Sequence, residues 1–220
     1  MKQTPYTYPA YARSERIADG IIHMLGVTFS LIATVILLSW ASYRLGGGHI
    51  TALSIYCLTV ILAFAASAFY HMTPWEAMRP LLRRIDHAAI YLKIAGTYTP
   101  LVVMIGSISS YLILALVWAL AALGTVKKLF FWGNGDHNVG TLLYLGLGWI
   151  SVLIIYPLTH TVPENSIWLI ISGGLIYTFG VIFFKWEKLK YSNAIWHGFV
   201  LVASCCFFAA ITLGAFNHTA

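Results

Sequence analysis

Seven stretches of about twenty mainly apolar residues, parted by short polar breaks, leave this chain few ways to fold. The hydrocarbon core of a bilayer is about 30 Å thick and a helix rises about 1.5 Å per residue, so each stretch is long enough to cross it. Backbone polar groups in lipid must be satisfied internally, which makes a helix the natural form for each. Composition agrees: 60% hydrophobic against 9% charged residues is not that of a soluble domain. The fold expected is all-α, one seven-transmembrane helix bundle.

The spans are read as 18–43, 50–71, 86–105, 109–126, 141–158, 166–184 and 194–214. Gly46, Gly47 and Gly48 break the chain after the first, and Thr73-Pro74 stops the second. Pro100 frees a backbone carbonyl inside the third, which neighbouring groups must satisfy. Gly133-Asn134-Gly135-Asp136 reads as turn chemistry. Small residues such as Gly146, Gly148, Gly173, Gly174 and Gly180 permit close helix approach. The first run is too long for the core of a secretory signal and is expected to stay in the mature protein. Cys57, Cys205 and Cys206 lie inside apolar runs and read as packing residues.

The net charge of +6 does not point to nucleic acid, because the basic residues are scattered over short loops. They set topology instead. Lys2, Arg13 and Arg16 precede the first span; Arg79, Arg83 and Arg84 follow the second; Lys127 and Lys128 follow the fourth; Lys185, Lys188 and Lys190 follow the sixth. The remaining loops hold only Arg44. Positive residues mark the cytoplasmic side, so the amino terminus is expected in the cytoplasm and the carboxyl terminus outside. Residues 1–17 then form a cytoplasmic tail, 18–214 the integral domain and 215–220 a short outer tail.

That alternation brings distant polar residues to one depth. The second span ends on Ser67 and His71, one turn apart and on one face. The first opens with Asp19 and His23, the third with Asp86 and the last with His197. Ionisable groups inside spans are costly and face a bundle interior or water. Histidines on different helices plus a carboxylate are the ingredients of a catalytic zinc site, although a lone histidine is more often a hydrogen-bonded packing residue. Ser67 could donate to a substrate carbonyl or bond its own helix.

Glu15 with Ala18-Asp19-Gly20 and His23, Ser67 to His71, Arg84-Ile85-Asp86-His87 with Ala95-Gly96-Thr97-Tyr98-Thr99-Pro100, and Trp196-His197-Gly198-Phe199-Val200 together resemble the hemolysin III family. This is the bacterial branch of the progestin and adipoQ receptor superfamily, which includes the adiponectin receptors. The resemblance covers almost the whole chain. It implies a seven-helix inner-membrane protein with a zinc held by three histidines near the cytoplasmic side. His71 and His197 match ligand positions, Asp86 the acid that positions water and Ser67 the neighbouring hydroxyl. Relatives include ceramidases that hydrolyse a lipid amide, and bacterial members are linked with haemolysis and membrane homeostasis.

The implied activity is thus metal-assisted hydrolysis of a membrane lipid; the alternative is a non-catalytic lipid-sensing or membrane-homeostasis protein with a degenerate metal site. A membrane lipid is the expected partner in both. A secreted pore-former and a transporter fit less well, for want of an export signal and of inverted repeats. This chain also departs from the family. Asn193 stands where the last span normally shows a first histidine, and Phe207 where bacterial relatives often show another. An amide oxygen is a poor zinc ligand beside imidazole, so position 193 is expected to be degenerate. His23 or His87 would supply a third ligand, His87 being the weaker candidate because it points about 100° away from its neighbour Asp86. Lys93 lies two turns beyond Asp86 where relatives are apolar: either its ammonium is a counter-charge to Asp86, or it faces the interface or another helix.

Overall fold

The structure, a computed structural model, describes residues 11–131, 136–186 and 188–218, with backbone alone over 136–139. Lys2, the turn at 133–135 and the last two residues of the expected outer tail lie outside the described residues. Among the described residues eight helices account for the fold: α1 (Arg13–Arg44), α2 (Gly47–Met72), α3 (Arg79–Ile105), α4 (Ile108–Phe130), α5 (Asp136–Trp149), α6 (Val152–Leu158), α7 (Glu164–Lys185) and α8 (Ser192–Asn217). Helices α5 and α6 share one span, 140–158, so seven segments are long and apolar enough to cross a membrane.

Several helices outrun the spans read from hydropathy. Helix α1 starts at Arg13 because Glu15 turns back to accept the Ala12 backbone N–H at 2.9 Å, closing the first turn. Only Leu45 and Gly46 separate α1 from α2, and Gly47 and Gly48 belong to the first turn of α2. Helix α3 begins at Arg79, whose guanidinium donates to the Tyr70 and Thr73 carbonyls at 3.1 and 2.8 Å. These bonds occupy carbonyls at the end of α2 that the helix itself leaves open. Gly106, with φ of +69°, ends α3, and the Ser107 hydroxyl caps α4 by accepting the Ser110 N–H.

Helix α3 is the most deeply buried span and touches α2, α4, α5, α6 and α8. Small residues bring its neighbours close. A Cβ on Gly96 would fall 2.0 Å from Thr59 Oγ1, and one on Gly124 about 2.5 Å from the Tyr91 ring. Hydrophobic side chains between helices form one core that includes Leu37, Leu53, Val102, Val117 and Ile211. Others, such as Val35, Ile36, Leu112, Leu123 and Ile182, face outward, as a lipid-solvated surface requires. Helices α1, α2, α3, α7 and α8, with the α5–α6 span, line a cavity of about 980 Å³.

Candidate metal centre

At one end of that cavity α1, α2 and α8 each contribute an imidazole. His23, His71 and His197 present ligand atoms that all lie within 4.8 Å of one another. Ring centroids stand 4.3 Å apart for His23 and His197, 4.7 Å for His71 and His197, and 5.0 Å for His23 and His71. The expected pair has come together with His23 as its third member, four residues after Asp19 and so on the same face of α1.

Hydrogen bonds decide which nitrogen each ring offers. His23 Nδ1 lies 2.8 Å from the Asp19 carbonyl, and His197 Nδ1 lies 2.9 Å from the Asn193 carbonyl. A carbonyl only accepts, so each Nδ1 carries the proton and each Nε2 presents a lone pair. Both Nε2 atoms sit 3.2 Å from Ser67 Oγ, and the Asp86 carboxyl faces the same hydroxyl. Ser67 has one proton to give. Three acceptors share one donor, so at least two of their lone pairs go unanswered by Ser67, and a metal ion would satisfy those on the imidazoles.

Asp19 makes the same point. It is 4% exposed, and its Oδ1 has no hydrogen-bond partner among the described residues. That oxygen lies 3.3 Å from His23 Nδ1 and 3.4 Å from His197 Nδ1, while Oδ2 is 3.8 Å from His71 Nδ1. A carboxylate behind metal-ligating imidazoles fixes their orientation and raises their basicity. A buried anion also needs a cation nearby. Three imidazole donors with a buried carboxylate behind them fit a divalent ion well.

Asn193 touches His71 rather than taking a place among the imidazoles. Its amide nitrogen is placed 3.2 Å from His71 Nδ1. Amide oxygen and nitrogen are nearly isosteric, and with the oxygen turned to the ring Asn193 accepts an Nδ1–H and frees His71 Nε2. In that form all three rings share one tautomer. His87 points elsewhere, with Tyr144 Oη 3.4 Å from its Nδ1 and donating to its backbone carbonyl at 3.0 Å.

The pairing of Lys93 with Asp86 is not found. Lys93 Nζ donates to Ser204 Oγ on α8 at 2.7 Å and lies over the Phe64 and Tyr177 rings. Two helical turns carry it about 10 Å along α3 from Asp86, too far for an ion pair when polar and aromatic partners stand closer.

One tie was not anticipated. Glu15 accepts the Tyr191 backbone N–H at 2.9 Å as well as that of Ala12, joining the start of α1 to the start of α8. Tyr191 holds a left-handed φ of 63° there. The clamp fixes the spacing of His23 and His197. The acid at the third position of α1 is the available signal, but its partner is 176 residues away.

Seven membrane-spanning helices around a buried cluster of histidines define a class of polytopic membrane protein. The family model described as haemolysin-III related matches residues 11–208, and the chain belongs to that family. It is 35% identical to Hemolysin-3 of Bacillus cereus over 90% of both chains. It is 34% identical to the Hemolysin-3 homolog of Bacillus subtilis (strain 168), over 90% of this chain and 92% of that one. A more distant relative is the human monocyte to macrophage differentiation factor, 29% identical over 71% of this chain and 67% of that protein.

Proposed function

We propose that this protein is a metal-dependent hydrolase of an amide or ester in a membrane lipid, resident in the inner membrane. The observation that carries the reading is the opening of a three-imidazole cluster, with Asp86 and Ser67 beside it, onto a mostly apolar cavity of about 980 Å³. A volume of that order suits a ligand buried over most of its surface.

His23, His71 and His197 would hold the ion, and three neutral imidazoles suit zinc. When bound, the ion polarises a carbonyl oxygen and acidifies a water. Asp86 takes a proton from the attacking water as the water oxygen adds to the carbonyl carbon. It returns that proton to the leaving nitrogen or oxygen as the old bond breaks. Ser67 orients the carbonyl. Asp19 and Asn193 hold the Nδ1 sides of the rings so that Nε2 faces inward.

Lysine and arginine support an orientation with this centre toward the cytoplasm. Arg13 and Arg16 at the start of α1, Arg83 and Arg84 on α3, Lys127 and Lys128 at the end of α4 and Lys185 at the end of α7 lie at the helix ends that carry the histidines. Residues 1–17 would then be cytoplasmic and 215–220 external.

Detergent-purified protein should carry about one zinc per chain, and His71→Ala should abolish it. The same protein should release fatty acid from a lipid amide or ester, and His71→Ala should not. Folded wild-type protein without metal would sink this reading. Zinc-loaded protein that leaves lipids intact would favour a non-catalytic lipid-sensing role.

A further inference from the structure

The polar groups at Lys93 belong to a different station of the cavity. Ser204 Oγ donates to the Val200 carbonyl at 2.6 Å, which uses its one proton. It therefore accepts from both Lys93 Nζ at 2.7 Å and Tyr177 Oη at 2.9 Å. Ser204 is saturated and 2% exposed. The ammonium keeps two further N–H bonds and stands 4.6 Å from the Phe64 ring centroid and 5.3 Å from that of Tyr177. Three helices, α3, α7 and α8, thus aim one cation into the cavity, and among the described residues no carboxylate pairs with it. A charge at this depth is costly unless it has a partner.

We propose that Lys93 is an anion-binding subsite within this cavity, apart from Arg83, Lys185 and Lys188, which also line it, and that its ligand is a single-chain amphiphile with a carboxylate head. One cation in apolar surroundings balances one negative charge and leaves the second charge of a phosphate unpaired. Beyond Lys93 the lining is mainly hydrocarbon, through Leu101, Leu158, Ile170 and Phe207, with the hydroxyl-bearing Thr97, Tyr98 and Ser151 among them. The run from Lys93 to Leu101 along α3 is about 12 Å, long enough for a substantial part of an alkyl chain. A small hydrated ion would lose its water there without gaining apolar contact, whereas an alkyl tail gains from burial. The subsite stands about 10 Å along α3 from Asp86 and needs neither metal nor turnover.

The test uses the whole chain, delipidated in a non-ionic detergent and treated with chelator, so that its outcome is independent of the hydrolytic reading. Palmitate should bind once per chain and at least about tenfold tighter than hexadecanol, the gain expected of a hydrogen-bonded charge. Lys93→Met should weaken palmitate by about tenfold and leave hexadecanol within about twofold, while Lys93→Arg retains palmitate. Equal binding of acid and alcohol by the wild type overturns the proposal with no variant required. So does displacement of palmitate by equimolar acetate, which would mark a site for small anions. Loss of palmitate in His71→Ala with full binding in Lys93→Met would place the carboxylate at the histidines and overturn it as well.

Discussion

Two parts of the bundle are held in very different ways. Helices α1, α2 and α8 are tied by side chains that cross between them: Glu15 to the Tyr191 amide, His23 and His197 to Ser67, and Asn193 to His71. The α5–α6 span is broken at residues 150 and 151 and is held to α3 by two tyrosines. Tyr98 donates to the Leu147 and Gly148 carbonyls at 2.9 and 2.8 Å, and Tyr144 to the His87 carbonyl at 3.0 Å. Glycines in mid-span illustrate it, although a Cβ on Gly140 at the start of the α5–α6 span would meet Lys128 Nζ at 2.8 Å and one on Gly198 in α8 would meet nothing within 4 Å. A Cβ on Gly26 would strike the Phe64 ring at 2.5 Å, yet one on Gly146 or Gly148 would meet nothing within 4 Å. In lipid, helices associate through close packing and polar contacts rather than through exclusion of water. The difference therefore teaches that this chain concentrates its inter-helix side-chain bonds around the histidine cluster and holds the α5–α6 wall of the cavity by fewer.

The sharpest way to break that contrast lies at Asn193. Asn193→Ala removes the hydrogen-bond partner at 3.2 Å from His71 Nδ1, leaving Asp19 Oδ2 at 3.8 Å and every imidazole in place. Metal affinity should fall by about 10–100-fold, the usual cost of losing an outer-shell partner. Competition against a chelating dye measures it, and Gly146→Ala in the loose span should leave the value unchanged. If Asn193→Ala binds metal as tightly as wild type, the amide does not orient the ring.

Packing gives the next effect. Gly96→Ala drives a methyl into Thr59, whose own hydroxyl is committed to the Tyr56 carbonyl at 2.9 Å. Overpacking of this kind should cost about 1–3 kcal/mol, read as a lower unfolding midpoint in mixed micelles, with partial rescue by Thr59→Ala. Gly146→Ala meets no neighbour and replaces a poor helix former, so it should be neutral or stabilise by up to about 1 kcal/mol. Opposite signs at the two positions sharpen the comparison, and equal losses would refute it.

Hydropathy and alternation were enough to place seven helices, because a bilayer leaves no other choice for such runs. They also set Asp19, His23, Ser67, His71, Asp86 and His197 at one depth. What they could not fix was rotation about each helix axis. Asn193 looked like a vacant ligand position, and only the azimuths of α1 and α8 reveal that His23 completes the three-imidazole group. For Lys93 the sequence left two readings open for the same reason, and the structure takes the one in which it faces another helix: a flexible four-carbon stem reaches sideways to Ser204 on α8 before it reaches along α3 to Asp86. The break in the α5–α6 span was hidden too, since residues 140–158 have the hydropathy of an unbroken helix.

The smallest effect expected is at the loop that follows His71. Glu76 accepts from the Arg79 guanidinium at 2.8 and 3.0 Å, and that bond holds its carboxyl below the ordinary 4.5. A folded-state pKa below the unfolded one means that the contribution is present above pH 4.5 and is lost as pH falls through the folded value. Glu76 is fully solvated, so screening keeps that contribution slight. Arg79 also keeps its bonds to the Tyr70 and Thr73 carbonyls without it. Wild type should therefore melt slightly above Glu76→Gln at pH 7, with the gap closing in acid and zinc content equal throughout. A gap that widens in acid would mean that the carboxylate opposes the folded state. A loss of zinc in Glu76→Gln would mean that the clamp on α2 depends on this exposed acid rather than on the two buried carbonyl bonds.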